Sequence, residues 1–344
     1  MKPRVSSRDV ALEAGVSKTT VSYVLSGRQD ISIPEATRRR VQDAARRLGY
    51  RVNGSARSVR TGRFDCIGLV LSTHPSYSTL ARYTLGGINQ GLAAQGYHLT
   101  VATLSDAELT DDAVVPKMLG EWMVDGLLLN YSQAIPPRLQ RLVDEHQIPT
   151  IWMNSRHEAD CVYPDDRAAA RGATERLLAL GHARIAYGGH QFPPETALHY
   201  SVPARAAGYA DAMAAAQTPP RWFEVSPPPG ADRAEVRRLL SGPGRPTAVV
   251  TYWPSVANVV LCEALALGLR VPEDLTILTF SDQWLKEEGL PVSTWLIPSF
   301  ALGEQAVEML LHKIADPARR QPPRPLSFLE DRAYLGAPGP QATP

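Results

Sequence analysis

The sequence predicts two unlike parts: an N-terminal all-α helix-turn-helix head and, beyond a hinge, an α/β core of two parallel-sheet lobes. Three observations lead there. Short segments of helical apolar periodicity joined by glycine fill the first 50 residues, and short apolar runs alternating with helical periods fill most of the rest. Charge divides along the same line. Residues 1–63 hold 14 Lys and Arg against 5 Asp and Glu, while the remaining 281 hold 22 against 30, so the formal net charge of +1 conceals a basic head on an acidic body. A basic surface meeting a phosphate backbone releases counterions, the main source of sequence-independent affinity for DNA.

The first helix is opened by Ser6, with Asp9 three residues on in capping-box register, and its apolar residues are Val10, Ala11 and Ala14. Gly15 makes the corner. Ser17 then caps a second helix, in which Val21, Val24 and Leu25 share a stripe and Thr19 and Tyr23 point away from it. Gly27, just after Ser26, turns the chain out. Short amphipathic helices joined by glycine occur in many soluble proteins, but here the second presents hydroxyls and an aromatic ring on a basic module. That combination reads as a helix-turn-helix whose second helix enters the major groove.

A third helix is predicted from Ser32, again in capping-box register with Glu35, with Pro34 in its first turn and Gly49 at its end. Val41, Ala44, Ala45 and Leu48 form its stripe. Arg38, Arg39, Arg40, Arg46 and Arg47 occupy the remainder, either as a solvated face or as a phosphate-contacting one, and the charge excess favours the second. The next segment, 53–60, is about two turns long and too short to be a stable helix alone. Gly54 weakens it by about 1 kcal/mol relative to Ala. It reads either as a flexible linker or as a hinge that orders on DNA with Val59 as an apolar wedge in the minor groove.

In the core, strands are expected at 66–71, 99–104, 126–131 and 150–153, separated by helices at 80–95, 111–123 and 136–146. A second series follows, with strands at 185–188, 222–225, 248–252 and 275–280 and helices at 167–180, 204–216, 232–240 and 255–267. Continuous apolar strands alternating with helices imply parallel sheets covered on both faces, and ligands of such folds bind beyond the carboxyl ends of the strands. Cys66, Cys161 and Cys262 are widely spaced among apolar neighbours and read as free thiols, with no disulfide, metal site or cofactor implied. No secretory signal and no run of 18 apolar residues is present, so a cytoplasmic location without membrane contact is expected. Gly-x-Ser-x-Gly, His-Glu-x-x-His and Gly-rich phosphate-binding motifs are all missing, which argues against an enzyme.

Asp9-Val10-Ala11, Ala14-Gly15-Val16-Ser17, Thr20-Val21-Ser22, Leu48-Gly49-Tyr50 and Ala56-Arg57-Ser58 stand in the order found in the LacI/GalR family of bacterial transcription regulators, which the chain resembles. Ile67-Gly68-Leu69-Val70, Asp125-Gly126-Leu127-Leu128, Leu180-Gly181-His182 and Gly268-Leu269-Arg270-Val271-Pro272 resemble that family's core. The resemblance implies a periplasmic-binding-protein-like core whose chain crosses between lobes three times, and a homodimer on a pseudo-palindromic operator. Its implied divisions are 1–52 for the head, 53–63 for the hinge, 64–163 plus 297–323 for the first lobe, 164–296 plus 324–336 for the second, and a disordered tail at 337–344. Carried over by position, Lys18, Thr19 and Tyr23 read bases and Thr20 and Ser22 lie near phosphate; Ser17, Arg28 and Arg39 are further candidates for DNA contact, and Ser55, Arg57, Val59 and Arg60 belong to the hinge. Val59 departs from the usual Leu and Val52 from the usual Pro, which puts operator bending in question.

Between the lobes the resemblance places a small-molecule effector, with Arg205 gripping its oxygens and Ser72, Tyr77, Asn154, Asp165, His190, Tyr252, Trp253, Ser281 and Asp282 around it. Trp253-Pro254 stands where sugar-binding members usually carry Asn-Asp, and the carboxylate of Asp282 falls one residue later than usual. These departures leave two effector classes in view, a sugar held by a rearranged polar set or an aromatic, nucleoside-like compound. A solute-receptor role without DNA regulation is the alternative function.

Overall fold

The computed structural model describes residues 5–26, 31–50, 62–73, 80–104, 124–131, 133, 135–226 and 233–338. They divide into two compact units, residues 1–64 and 65–344.

In the first unit, α1 (Ser7–Ala14) begins with the expected reciprocal cap: the Ser6 hydroxyl oxygen accepts from the Asp9 N–H while the Asp9 carboxylate accepts from the Ser6 N–H at 2.8 Å. Gly15 then adopts φ 62°, the left-handed conformation that a side chain resists, and turns the chain into α2 (Lys18–Leu25), capped by Ser17 at 3.1 Å from the Thr20 N–H. The third helix, α3 (Glu35–Leu48), starts later than the sequence suggests. Pro34 is its N-cap and no side chain caps it, because the residue before a proline is pushed out of the helical region and Ser32 lies one further back. Val10, Ala14, Val21, Val24, Val41 and Ala44 close one small core between the three helices. Gly27 and most of the 53–63 hinge lie outside the described residues.

The second unit holds two six-stranded sheets among the described residues. The first is built from β1 (Cys66–Ser72), β2 (His98–Leu104), β3 (Gly126–Leu129), β4 (Thr150–Met153) and β5 (Cys161–Pro164), with α4 (Arg82–Ala94) and α5 (Pro137–Glu145) as crossovers. The second follows α6 (Asp166–Ala179) and contains β6 (Ile185–His190), β7 (Arg221–Val225), β8 (Ala248–Thr251), β9 (Thr276–Ser281) and β10 (Ser293–Leu296), connected by α7 (Ser201–Ala215), α8 (Arg233–Ser241) and α9 (Pro254–Ala266). The chain then returns to the first sheet with α10 (Ser299–Ala315) and β11 (Arg324–Leu326), and to the second with β12 (Leu329–Glu330). Every pairing is parallel except β10 with β12. All residues of β3, β4, β8 and β9 are buried, as unbroken apolar runs in a sheet covered on both faces must be.

Helices α4 and α10 cross so closely that a Cβ on Gly303 would sit 2.2 Å from the Thr84 carbonyl oxygen. Three crossovers, at 165, 297–298 and 327–328, join the sheets. The strand at 324–326 pairs with β5, so it belongs with the first sheet, where the resemblance had assigned 324–336 to the second lobe. Strand β5 is a run of only four residues, and β10, β11 and β12 are short and mixed in polarity, which is why periodicity misses them. The His182 ring donates from Nε2 to the Gly336 carbonyl at 2.8 Å, and Pro338, placed in a disordered tail by the sequence reading, packs beside Gly181. The helix expected at 111–123 and residues 339–344 lie outside the described residues.

Candidate DNA-reading helix and ligand cavity

Burial of Val21 and Val24 against the head core fixes the rotation of α2 about its axis, which leaves Lys18 and Thr19 exposed and Tyr23 half-buried. The short cap bonds of Ser17, including Ser17 Oγ to Thr20 Oγ1 at 2.9 Å, hold the first turn. On α3, Arg38 donates to the Ile31 carbonyl at 3.0 Å, Arg39 pairs with Glu35 at 3.3 Å, Arg46 pairs with Asp43, and Arg47 reaches Glu13 on α1 at 3.0 Å. These exposed pairs are worth at most about 1 kcal/mol each and open readily toward a phosphate. Arg28, Ser55, Arg57, Val59 and Arg60 lie outside the described residues.

In the second unit, the ends of the parallel strands surround a cavity of about 410 Å³. Asn130 follows β3, Asn154 follows β4, His190 ends β6, Tyr252 and Trp253 follow β8, and Asp282 follows β9. Five of the ten residues expected at an effector, Asn154, His190, Tyr252, Trp253 and Asp282, line it together with a sixth, Arg205. Three do not. Ser72 is buried at the end of β1, Asp165 caps α6 by accepting from the Ala168 N–H at 3.2 Å, and Ser281 is 1 % exposed, its hydroxyl accepting from the Gln283 N–H at 3.2 Å. Alternation along the chain turns Ser281 to the side opposite Asp282, which lines the opening. Tyr77 lies outside the described residues.

Arg205 differs from expectation in its role. Its Nε donates to the Asp166 carboxylate at 2.7 Å and one terminal nitrogen donates to the Tyr252 carbonyl at 2.6 Å, with the side chains of the pair 3 % and 1 % exposed. The guanidinium also lies 4.6 Å from the Phe280 ring centre and 5.0 Å from that of Tyr252. Burial opposes its charge, but the Asp166 carboxylate together with the hydroxyls of Tyr252 and Tyr187 holds the guanidinium pKa above its ordinary value. Two of its three nitrogens are therefore committed to the protein, and the residue braces the cavity wall.

Sequence reasoning missed Asp166, His199 and Ser201. Asp166 pairs with Arg205, while His199 and Ser201 form a chain with Tyr252: the His199 Nε2–H donates to the Asn154 carbonyl at 3.0 Å, the Ser201 hydroxyl donates to His199 Nδ1 at 2.7 Å, and the Tyr252 hydroxyl donates to Ser201 Oγ at 3.0 Å. The chain ties the second sheet's wall to the end of β4 in the first. Only the amphipathic start of α7 hints at these residues, and nothing in their spacing marks a network across two sheets. Burial lowers the pKa of His199, and of His157, His182 and His190 likewise. A histidine held neutral in the folded state stabilises fully above its unfolded value of 6.5 and loses that contribution as pH falls below it. The melting temperature is therefore expected to fall between pH 7 and pH 5, and to fall less in His199→Gln; an equal fall in both would contradict the assignment of His199.

A helix-turn-helix unit and a separate two-sheet unit with a ligand-sized cavity at its strand ends together define a ligand-responsive DNA-binding protein. Residues 8–53 match the profile of bacterial regulatory proteins of the lacI family, and residues 174–333 match that of the periplasmic binding protein-like domain. The ribose operon repressor of Escherichia coli K12 is 30% identical over 91% of this chain and 94% of its own length. The transcriptional repressor PurR of Escherichia coli O139:H28 is 29% identical over 96% and 97%. The solved lac repressor dimer bound to operator and the anti-inducer ONPF shares the fold, with a TM-score of 0.76 at 21% identity, covering 97% of this chain and all of that one. The chain belongs to the lacI family of bacterial regulatory proteins. Like its relatives it is a DNA-binding transcriptional regulator, and no helix among the described residues is long and apolar enough to cross a membrane.

Proposed function

We propose that the chain is a repressor acting as a homodimer on a roughly two-fold symmetric operator, with DNA affinity controlled by a small molecule in the cavity between the two sheets. The observation that carries this reading is the outward placement of Lys18, Thr19 and Tyr23 on a helix whose opposite side is fixed by Val21 and Val24. Tyr23 packs its ring on a thymine methyl and donates its hydroxyl, Thr19 contacts a methyl or a base acceptor, and Lys18 donates to guanine. Arg39 releases Glu35 to meet phosphate. Two protomers present two such helices, so protein symmetry sets operator symmetry.

Effector binding changes how the two sheets sit against each other, and the chain of Tyr252, Ser201, His199 and Asn154 is a direct mechanical link between the cavity wall and both sheets. By linkage, operator alters effector affinity by the same factor that effector alters operator affinity. Selection of bound duplexes from a random pool tests the placement of α2. Tyr23→Ala is expected to change the selected sequence, with a loss of about 10- to 100-fold on the original site, whereas Arg39→Ala weakens all duplexes alike and reduces the salt slope by about one. A selected sequence unchanged by Tyr23→Ala would remove this residue from the reading face. Deleting residues 1–63 separates this function from that of a solute receptor, since only a regulator would lose DNA binding while keeping its ligand.

A further inference from the structure

The charge of the cavity is legible from its lining. Arg205 is the sole Arg or Lys among the described residues that form it, and Asp166 already compensates that charge at 2.7 Å. Asp282 lines the same space without an ion pair among the described residues. Burial keeps the rings of His190 and His199 neutral at neutral pH. Among the described residues of the wall, one carboxylate is thus left uncompensated and no cation is. The rest of the wall mixes amides, hydroxyls, aliphatic side chains and aromatic rings, with Trp253 still 36 % exposed.

We propose that the ligand of this cavity is an uncharged or cationic small molecule with a flat face, and that phosphorylated and carboxylated compounds are excluded; the inference rests on reading the cavity as the effector site. An anion entering the cleft is repelled by Asp282 in a medium that screens poorly, and among the described residues the one Arg of the wall is already paired with Asp166. A neutral or positive ligand instead donates to Asp282 and stacks on Tyr252 or Trp253.

Trp253 is a built-in reporter, and its emission is isolated as the difference between the natural chain and Trp253→Phe. Caesium is expected to quench that difference signal at least about twofold more than iodide, each relative to its quenching of free tryptophanamide, because a net negative wall concentrates cations and repels anions. Asp282→Asn is expected to bring the two ratios together. Iodide quenching equal to or greater than that of caesium overturns the proposal. In the pairs adenosine with AMP and ribose with ribose 5-phosphate, any member that binds is expected to do so about tenfold or more tightly in its uncharged form. A phosphorylated member binding as tightly as its parent also overturns it, and if neither pair binds, the quenching comparison decides alone. A phosphorylated compound that binds and releases DNA would sink the charge assignment while leaving the regulator reading intact. A cavity that favours caesium but whose occupant leaves operator affinity unchanged would sink the effector reading instead.

Discussion

Replacing Arg205 by Ala is expected to destabilise the larger unit by about 3–5 kcal/mol, the range found when one partner of a buried ion pair is removed. Asp166 is the reason. Its side chain is 1 % exposed and its nearest cation is the Arg205 Nε at 2.7 Å, so the variant leaves a buried carboxylate without its counter-ion. The Tyr252 carbonyl loses its guanidinium donor at the same time. Denaturant unfolding of the full chain, followed through the transition of the larger unit, measures the effect. The double variant Arg205→Met, Asp166→Leu removes both charges and should recover most of the loss, since an apolar pair of similar volume is often as stable as the ions it replaces. A loss below about 1 kcal/mol in Arg205→Ala would mean that the pair does not support the wall as its geometry indicates.

Replacing Val41 by Asp is expected to unfold the smaller unit and abolish DNA binding, leaving the transition of the larger one in place. Val41 is fully buried where α3 meets α1 and α2, among Val10, Ala14, Val21 and Val24. A carboxylate there has no partner, and burying a charge unpaired costs several kcal/mol or forces it to protonate. A unit this small has only a small reserve of stability from apolar burial. Circular dichroism and duplex binding on the same sample distinguish the outcomes. If the Val41→Asp variant lost its helical signal yet still bound duplex, the reading surface would not be the one displayed by α2.

Much of the fold was legible because its physics is local. Ser6 with Asp9, Ser17 before a valine-striped helix, and Gly15 at the corner each specify a cap or turn from adjacent residues, and each is found as expected. The long buried strands announce themselves as apolar runs. What periodicity missed depends on partners far along the chain: Arg324–Leu326 becomes a strand only because Val162 to Pro164 offers an open edge. The cavity follows the same division. Residues immediately after strands, such as Asn154, Tyr252 and Asp282, were found by position in the topology. Asp165 and Asp166 are adjacent carboxylates with opposite fates, one capping a helix and one pairing with Arg205, and no rule of spacing separates them. His199 and Ser201 acquire their role from a carbonyl 45 residues earlier and a hydroxyl 51 residues later.

The central claim is that a basic three-helix head reads duplex DNA from one face of α2. Its most direct test is the binding of the full-length protein to a selected duplex across a series of salt concentrations. The logarithm of the binding constant should fall linearly and steeply with the logarithm of salt, as release of several counterions requires, and affinity for the selected duplex should exceed that for random sequence by about a thousandfold or more. Binding that is absent, indifferent to salt or blind to sequence would contradict it.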